Sequence, residues 1–528
     1  MNRKRMNILI VGAWLVSLFF IPSVFAQLID NTQTFNPINA GINKSLIQEI
    51  GAGHGDAMTP DSSVFIIKRD PFRAIRRGRQ LFMRKFTQAQ GQGPRFRDGI
   101  GDIVKFPGLG AGLGDSCAIC HGRPRGSAGF GGDVVTRPDS RDSPHLFGLG
   151  LREMLADEIT ADLRAIRAKA LAKAQSSKKT VTRELVSKGI SYGSITANQN
   201  GSFDTSQVVG VNPDLRVRPF FAQGGTISIR EFLVGAARNE MGIEAVDPDL
   251  DYASKGGVFT TPGGMVLDGR IDQIEAPPTA NPNADPDGDG VMNEMPESLV
   301  DFMEFYLLNY FTPTQYEQTH KTEKGSSLFM TLGCGKCHIP DLQIDHDRRV
   351  ANVDTVFDPV NGIFNNLFAT ATTTFITQDD GRGFPLLKLP ALKPFLVKNI
   401  FTDFKRHDLG PNFYERNYDG TFQKEFMTRP LWGVGSTSPY GHDGRSINLT
   451  EVILRHGGEA QSASDAFAGL NVNQESDLLA FLNGLVLFPP DDTASNLDPG
   501  NRNAPGFPQA GHGSIKLTVL FNNPSDLE

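Results

Sequence analysis

Four cysteines and two histidines form a repeated pattern that could do chemistry. Each copy has two cysteines three positions apart, followed directly by a histidine: Cys117, Cys120 and His121 in the first copy, and Cys334, Cys337 and His338 in the second. Two thiols at this spacing can form thioethers to the two vinyl groups of one porphyrin, and the adjacent histidine then lies under the iron as proximal ligand. The sequence therefore predicts two covalently bound haem c groups in a redox protein.

A zinc ribbon, a thioredoxin-like dithiol and a disulfide pair are the alternative uses of such cysteines. A zinc ribbon normally brings its two cysteine pairs much closer together than the 217 positions that separate Cys117 from Cys334. It also needs no histidine after each pair. All four cysteines of the chain lie in the two motifs, so haem attachment leaves none for a structural disulfide. Only the haem interpretation uses every residue of both motifs.

The N-terminal residues predict export. Residues 3–5 are basic, residues 8–21 are apolar and residues 24–26 end in a small-residue cleavage pattern, which is typical of a signal peptide over residues 1–26. The apolar run is shorter than the roughly 20 residues that span a bilayer, so we expect no stable membrane span and a periplasmic location. The formal charge of 52 minus 59, or -7, becomes -10 without the three basic residues and gives no reason to expect nucleic acid.

The elements that must position the two motifs are mostly helices. Apolar residues recur at helical spacing in six segments: 71–86, 155–170, 229–241, 299–310, 449–456 and 477–485. Loops rich in Gly, Pro and Asn separate them. We expect a mainly α fold with two cytochrome c-like haem domains, long loops and few short strands. The predicted segments are a signal peptide (1–26), an extended lead-in (27–70), a first haem domain with a helical insertion (71–246), an interdomain loop (247–298), a second haem domain (299–490) and a tail (491–528).

An acidic loop between the two motifs could hold calcium. Asp285, Asp287 and Asp289 occupy positions 1, 3 and 5 of a calcium-loop pattern, and Gly290 occupies position 6, where the chain turns sharply. Position 12 is Pro296 instead of the usual glutamate, so we do not expect a complete EF-hand. A calcium site and a solvated acidic turn both remain open.

Three further stretches resemble the dihaem c-type oxidoreductases, also called dihaem peroxidases or thiol oxidoreductases, which are relatives of the bacterial dihaem cytochrome c peroxidases. The stretches are SPHLFGLGLRE at 143–153, VRPFFAQGGT to MGI at 217–243, and RPLWGVG, YGHDGR and HGGE within 429–459. The resemblance covers most of residues 70–490, apart from the inserted helix around 155–190. It implies a pair of mostly helical cytochrome-like domains, one iron open to a small oxidant, another that accepts electrons, and calcium between the haems.

The chain departs from the peroxidase pattern at the second haem. The peroxidases place a methionine over this haem in a Pro-Tyr-Met-His segment, but the matching segment here has Gly441, which cannot bind iron. Methionine raises the potential of a haem, whereas histidine or tyrosine lowers it, so a high-potential electron-entry haem is in doubt. The candidate replacement ligands are His456, His442 and Tyr440.

Three residues could take part in catalysis, iron coordination or electron transfer at or near the first haem. Glu153 is an acid that could move a proton between the two peroxide oxygens, because burial beside haem would raise its pKa toward neutrality. It could equally be a solvent-facing helix residue. His145 could close the sixth coordination position, or it could be a surface histidine. Trp432, the only tryptophan after the signal peptide, could relay electrons or simply pack in the core.

These features predict a haem-dependent oxidoreductase. We expect it to reduce hydrogen peroxide or a related oxidant at the first haem, with electrons passing through the second haem from a small electron-donor protein or another reductant. One alternative is a dihaem oxygenase or a long-range oxidase of a bulky substrate. The other is a non-catalytic dihaem electron carrier. The resemblance also implies a homodimer, although no segment identifies an interface.

Overall fold

The computed structural model describes residues 45–93, 114–122, 128, 133–134, 141–310, 312, 319–356, 368–417 and 420–485. The predicted signal peptide, the lead-in up to residue 44 and the predicted tail lie outside these residues. Among the described residues, no helix has both the length and the apolar character needed to cross a membrane.

Helices dominate the described part of the chain, as predicted. They are α1 Leu46–Ile50, α2 Ser63–Arg69, α3 Pro71–Met83, α4 Cys117–His121, α5 Leu149–Ser177, α6 Ile229–Ala236, α7 Pro248–Ser254, α8 Glu297–Asn309, α9 His320–Thr331, α10 Leu449–Arg455, α11 Gln461–Ala468 and α12 Val472–Asn483. Each of the six segments with helical spacing overlaps one of these helices. The largest differences lie at the ends, where packing and capping decide which turns form.

Local sequence explains where the important helices begin and end. Helix α3 starts after Asp70, whose carboxylate accepts a hydrogen bond from the Arg73 amide at 3.4 Å, and its first residue is proline. Helix α6 continues into a π-helical turn, Ala237–Met241, which ends at Gly242 with φ 66°. A Cβ at this glycine would lie 2.3 Å from the Gly93 carbonyl oxygen, so only glycine fits. The helical segment predicted over 229–241 therefore ends at this glycine.

The strands are short, as predicted, but they are more numerous than the predicted few. They are β1 Asp133–Val134, β2 Arg141–Asp142, β3 Val181–Ser187, β4 Ile190–Ala197, β5 Phe203–Asp204, β6 Ala245–Val246, β7 Val258–Thr260, β8 Val266–Asp268, β9 Met295–Pro296, β10 Leu342–Ile344, β11 Ala351–Val356, β12 Phe368–Thr373, β13 Phe375–Gln378, β14 Leu387–Pro390, β15 Phe395–Val397, β16 Arg406–Asp408, β17 Glu415–Arg416, β18 Phe422–Gln423 and β19 Glu425–Met427. Within the described residues they form one three-stranded sheet, β3-β4-β5, and several two-stranded ones. Most are antiparallel pairs that stiffen loops, which helical periodicity does not reveal.

Two hydrophobic cores hold the two haem motifs. The large core includes buried residues of α3, the first half of α5, α6 and α8, and Cys117 packs against it. The small core is built mainly from α9, α10, α11 and α12, and Cys334 packs against it. Helix α8, which the sequence assigned to the second haem domain, packs into the large core, where a Cβ at Gly78 of α3 would meet the Phe302 carbonyl oxygen at 2.0 Å. The predicted domain boundaries stay predictions.

Candidate haem sites and the acids beside them

The first motif forms a single helical turn, α4, which places Cys117 and Cys120 on one side of the turn and His121 at its end. The Nδ1 atom of His121 lies 2.7 Å from the carbonyl oxygen of Pro144. A carbonyl oxygen only accepts hydrogen bonds, so Nδ1 carries the hydrogen and Nε2 carries the lone pair of the ring. This is the tautomer that an iron ligand needs, with the ring fixed by a backbone partner.

The second motif repeats the arrangement with a different local fold. Cys334–Lys336 forms a 3-10 turn, and the ring of His338 then lies 5.9 Å from that of Phe329, a residue of the small core. Its Nδ1 donates a hydrogen bond to the carbonyl oxygen of Phe401 at 3.0 Å, and Nε2 is again the atom left for a metal. Both proximal histidines therefore have the same tautomer, although neither the turns nor the hydrogen-bond acceptors are alike.

The cysteine environments fit thioether-bound haem better than zinc. The four cysteines are free thiols, and Cys117 and Cys334 pack in different cores. Among the described residues, no group of potential metal ligands contains both cysteines of one motif. A zinc ribbon requires the cysteine pairs to surround one ion. Two separate sites, each with two thiols and an oriented imidazole, are the arrangement that haem c attachment requires.

His456 lies close to the proximal histidine of the second site. Burial lowers the pKa of His338 to about 4, and an electrostatic interaction with His456 acts in the same direction, so the two imidazoles lie in the same neighbourhood. The Nδ1 of His456 donates to the Val452 carbonyl oxygen at 2.7 Å, so its Nε2 also keeps a lone pair. An aromatic edge contact with Phe413, at 5.3 Å between ring centroids, holds this ring in place.

His442, the other predicted ligand, has a different environment. Its ring stacks on Phe426 at 3.9 Å, and its Nε2 lies 3.5 Å from Glu415 Oε1. Its backbone carbonyl accepts a hydrogen bond from the Asp142 amide. Tyr440 packs at the edge of the small core, where burial raises its phenol pKa to about 12. The geometry brings His456 to the second haem site, but the identity of the sixth ligand stays a prediction.

Glu153 is buried, but both of its carboxylate oxygens have protein partners. Oε1 accepts a hydrogen bond from the Ile229 amide at 3.0 Å, and Oε2 forms an ion pair with Arg348 at 3.0 Å. Burial raises the pKa of Glu153 to about 7, although the charge of Arg348 acts in the opposite direction. The expected pKa shift is therefore present. The carboxylate is held by the scaffold, and its predicted catalytic role stays a prediction.

A second acid, Glu240, lies beside the first haem motif and was missed from the sequence. Its negative charge, after burial, contributes to the raised pKa of the Cys120 thiol. Its backbone carbonyl accepts a hydrogen bond from Gly114 at 3.2 Å, and the Sδ atom of the next residue, Met241, lies 4.0 Å from Cys117 Sγ. Glu240 sits in the π-helical turn, a distortion that often marks functional sites. The Met-Gly end of this segment was noticed in the sequence, but the acid before it was not.

Comparison with known proteins supports the haem interpretation for the second half of the chain. Residues 342–485 match the family described as "Di-haem oxidoreductase, putative peroxidase". This region is similar to the di-haem oxidoreductase family, and the match covers less than half of the chain. A comparison with curated proteins finds no match.

Two solved structures show limited similarity to this chain. Hydrazine synthase of Kuenenia stuttgartiensis is 15% identical with a TM-score of 0.20, and the alignment covers 36% of the present chain and 55% of that one. The present chain thus spans about half the length of that protein. A MauG-like protein associated with microbial copper homeostasis is 15% identical with a TM-score of 0.21, over 65% and 88% of the two chains. Superpositions this partial do not establish a shared fold.

The region that matches this family, residues 342–485, contains a histidine, His407, that was not identified from the sequence. His407 is clamped between two carboxylates: Nε2 lies 2.9 Å from Asp403 Oδ2, and Nδ1 lies 2.7 Å from Glu459 Oε2. Burial lowers its pKa, but these carboxylates outweigh burial and raise the pKa to about 11. The cluster adjoins Cys337, and Glu459 also accepts from the Asp408 amide at 3.0 Å. The His407 cluster therefore joins the loop after His456 to strand β16.

His145 and Trp432 are joined by a hydrogen bond near the first motif. His145 is buried, follows the residue that accepts from His121, and donates from Nε2 to the Trp432 carbonyl oxygen at 2.8 Å. Trp432 is 3% exposed, and a Cβ at Gly148 would lie 2.6 Å from its ring. Its indole nitrogen donates to the Lys398 carbonyl oxygen at 3.4 Å. His145 is therefore not a surface histidine, and its Nε2 is already used by a backbone partner.

The acidic loop does bring its carboxylates together. Ligand atoms of Asp285, Asp287 and Asp289 all lie within 4.8 Å of one another. The Asp285 carboxylate also accepts hydrogen bonds from three backbone amides of the loop, and these bonds hold the loop in this conformation. The later acids go elsewhere: Glu294 accepts from the Glu244 amide at 2.7 Å, so the back half does not complete an EF-hand. Calcium binding itself stays a prediction.

Proposed function

We propose that the protein is a periplasmic di-haem oxidoreductase that reduces hydrogen peroxide, or a related oxidant, at the His121 haem. Electrons would enter through the His338 haem from a small electron-donor protein or another reductant. The observation that supports the proposal is the difference between the two sites. A second histidine, His456, lies near His338, whereas an acid, Glu240, lies near Cys120.

The second site has the residues of a haem that transfers electrons without binding substrate. His338 and His456 each use Nδ1 to bind a backbone carbonyl and keep Nε2 available. His338 and His456 would both hold the iron of one haem, and that haem would transfer electrons without binding an oxidant. Electron transfer then needs little rearrangement, because the protein fixes both rings in advance.

The first site has the residues for proton handling. When bound, a haem with an open coordination position supplies an iron that binds peroxide and passes electrons to it. Reduction of one hydrogen peroxide consumes two electrons and two protons and yields two waters. Glu240 is half-buried next to Cys120 and would transfer a proton from one peroxide oxygen to the other. Glu153, with its pKa near 7, is the second acid that could supply protons from farther away.

One observation favours an alternative function, the oxidation of a bulky substrate. Gly441 stands where the related peroxidases have methionine, and histidine ligation would lower the potential of the second haem. A low-potential second haem is a weaker acceptor for common electron donors. It is better suited to an enzyme that draws electrons from a bound substrate through the protein, or that activates oxygen.

The decisive experiment is rapid mixing of the reduced, haem-loaded protein with hydrogen peroxide while the absorption and EPR spectra are followed. The proposal predicts one haem that is high-spin or becomes so on reduction, fast reoxidation of both haems, and consumption of one peroxide per two electrons. Stable oxygen binding without peroxide turnover would favour the oxygenase. Two low-spin haems that bind neither peroxide, cyanide nor carbon monoxide would overturn both enzyme functions and leave the electron carrier.

A further inference from the structure

Two separate segments of the chain orient the histidines of the second haem site. In the proximal segment, the Phe401 carbonyl oxygen accepts a hydrogen bond from His338 Nδ1 at 3.0 Å. In the other segment, His456 comes directly after helix α10, and its Nδ1 donates to the Val452 carbonyl oxygen at 2.7 Å. Phe401, Val452 and Cys334 all contribute to the small core. Each histidine is thus oriented within its own segment, and the distance between the segments depends on further contacts.

The His407 cluster, which consists of Asp403, His407 and Glu459, connects these two segments. Asp403 lies two positions after Phe401, and its Oδ2 is 2.9 Å from His407 Nε2. Glu459 lies three positions after His456, and its Oε2 is 2.7 Å from His407 Nδ1. One imidazole therefore bonds at the same time to the proximal segment and to the loop that follows His456.

Backbone contacts hold the loop after α10 close to the end of strand β16. The second carboxylate oxygen of Glu459 accepts from the Asp408 amide at 3.0 Å, and the Gly457 amide donates to the Leu409 carbonyl oxygen at 3.0 Å. Gly458 has φ 51°, and a Cβ there would lie 2.2 Å from the Asp408 carbonyl oxygen. Glycine at this position therefore allows the close approach through which the Glu459 carboxylate reaches the imidazole.

The His407 cluster differs from an ordinary surface ion pair in its burial and its place. His407 is 6% exposed and Asp403 is 2% exposed. Potential ligand atoms of Cys337, Asp403 and His407 all lie within 4.8 Å of one another, so the cluster adjoins a cysteine of the second haem motif. Hydrogen bonds to charged groups are strong, and a buried site screens them less than water does. Such bonds between two segments oppose their separation.

We propose that the His407 cluster positions His456 as the sixth ligand of the second haem. The inference rests on the part of the proposed function in which this haem transfers electrons with histidines on both sides of its iron. His407 is a positioning residue, because it acts through the loop and not on the iron. It keeps the His456 loop at a fixed distance from the segment that orients His338. Without this connection, His456 would leave the iron more often and outside ligands would bind.

Carbon monoxide binding to the fully reduced, haem-loaded protein measures how often the sixth ligand leaves. A haem with two protein ligands binds carbon monoxide only after one ligand dissociates, so the second haem should give a slow phase. Glu459→Ala should accelerate this phase about tenfold, because a hydrogen bond to a charged group contributes on this scale. The Glu459 side chain is 54% exposed, so its removal leaves no core cavity. Glu459→Gln keeps an acceptor oxygen for His407 and should retain most of the wild-type behaviour.

Asp465→Ala is the matched control. Asp465 is also an exposed acid close to this loop, but its carboxylate accepts a hydrogen bond from the Gln461 side chain at 2.8 Å. This variant should leave the slow phase unchanged. A haemochrome assay gives the haem content of each variant, and thermal unfolding gives its stability. Together these measurements separate a specific effect on ligation from a general loss of stability.

An unchanged slow phase in Glu459→Ala at wild-type haem content overturns the proposal. Equal acceleration in Glu459→Ala and Asp465→Ala overturns it as well, since the effect would then not be specific to the cluster. If Glu459→Ala does not load haem, Glu459→Asp decides. Its carboxylate is one methylene shorter and should also accelerate the phase, so an unchanged rate in that variant counts against the proposal.

His456→Gly separates failure of this inference from failure of the proposed function. It should abolish the slow phase, because the ligand itself is lost. A slow phase that persists in His456→Gly would overturn the assignment of His456 to the second haem, and the role of the cluster with it. A slow phase that is lost in His456→Gly but unchanged in Glu459→Ala would overturn only the role of the cluster. None of these measurements requires peroxide turnover.

Discussion

The two haem motifs hold their proximal histidines in the same way but lie in different surroundings. At both, Nδ1 donates to a backbone carbonyl, at 2.7 Å in the first and 3.0 Å in the second. Around the second, histidines converge: His456 approaches the proximal ring, and His407 is clamped beside Cys337. Beside the first lies an acid, Glu240. In the proposed function, the shared half of the site attaches and orients haem, and the half that differs decides what each haem does.

The strongest test of this comparison is the sixth ligand of the second haem. Replacement of His456 with glycine should convert this haem completely from low-spin to high-spin and let it bind carbon monoxide, because an axial imidazole is lost. His442→Gly is the matched control, and it should leave the spin state unchanged because its ring is stacked on Phe426. EPR and absorption spectra report both. A high-spin His442 variant with a low-spin His456 variant would reverse the assignment.

The next test asks which acid works at the first haem. Glu240→Gln should slow reoxidation by peroxide by about 10²- to 10⁴-fold, since general acid-base catalysis contributes on this scale. Glu153→Gln should slow it less, because that carboxylate is held by Ile229 and Arg348. Stopped-flow absorbance measures both rates, and neither variant should change the spectrum of the second haem. A larger effect in Glu153→Gln would restore the role predicted from the sequence.

Sequence was sufficient for the features that depend on local spacing. The haem motifs, the main helices and the converging aspartates of the 285–289 loop all follow from residues within a few positions of one another. Long-range pairing could not be predicted. Glu459 binds His407 from 52 positions away, and strands such as β10 and β15 pair across a long loop. Glu240 was missed because a π-helical turn, which no periodicity reveals, rotates it toward the haem motif.

A third test concerns the acidic loop, whose far end is attached to the first site. Glu294 accepts from the Glu244 amide, and Gly91 packs so closely that a Cβ there would lie 2.3 Å from the Glu294 carboxyl carbon. Calcium at 100 times its dissociation constant should raise the free energy of unfolding by about 2.7 kcal/mol. A chelator should then alter the spectrum of the first haem and leave the second unchanged.

Calorimetric titration measures calcium binding directly. The double variant Asp287→Asn and Asp289→Asn should abolish the binding heat, while Asp285 is kept because its carboxylate caps the loop backbone. Asp251→Asn is the control. It removes an acid of α7 that pairs with Lys255, and this variant should bind calcium normally. No binding heat in the wild-type protein at millimolar calcium would show that the loop is a solvated acidic turn.

The smallest expected effect is a pH dependence of stability. It concerns two histidines that are hydrogen-bonded to carboxylates, His54 and His407. In the large core, burial lowers the pKa of His54, but its hydrogen bond to Asp301 at 2.7 Å outweighs burial and raises the pKa to about 9. A raised histidine pKa stabilises the fold fully below about pH 6.5, and this contribution disappears as the pH rises through 9. Allowing for its partial exposure, the loss is about 2 kcal/mol. His407, with its pKa near 11, should keep its contribution over the same interval.

Urea unfolding at pH 6.5, 8 and 9.5 separates the two histidines. In wild type the free energy of unfolding should fall by about 2 kcal/mol more than in His54→Gln, whereas His407→Gln should retain the full pH dependence of wild type. Asp249, Glu297 and Arg230 also face His54, and the raised pKa of Glu297 weakens stability in the same direction as pH rises. His54→Gln removes only the histidine contribution, so the difference between the two curves isolates it. An identical pH dependence in wild type and His54→Gln would mean that the buried carboxylates alone make the large core sensitive to pH.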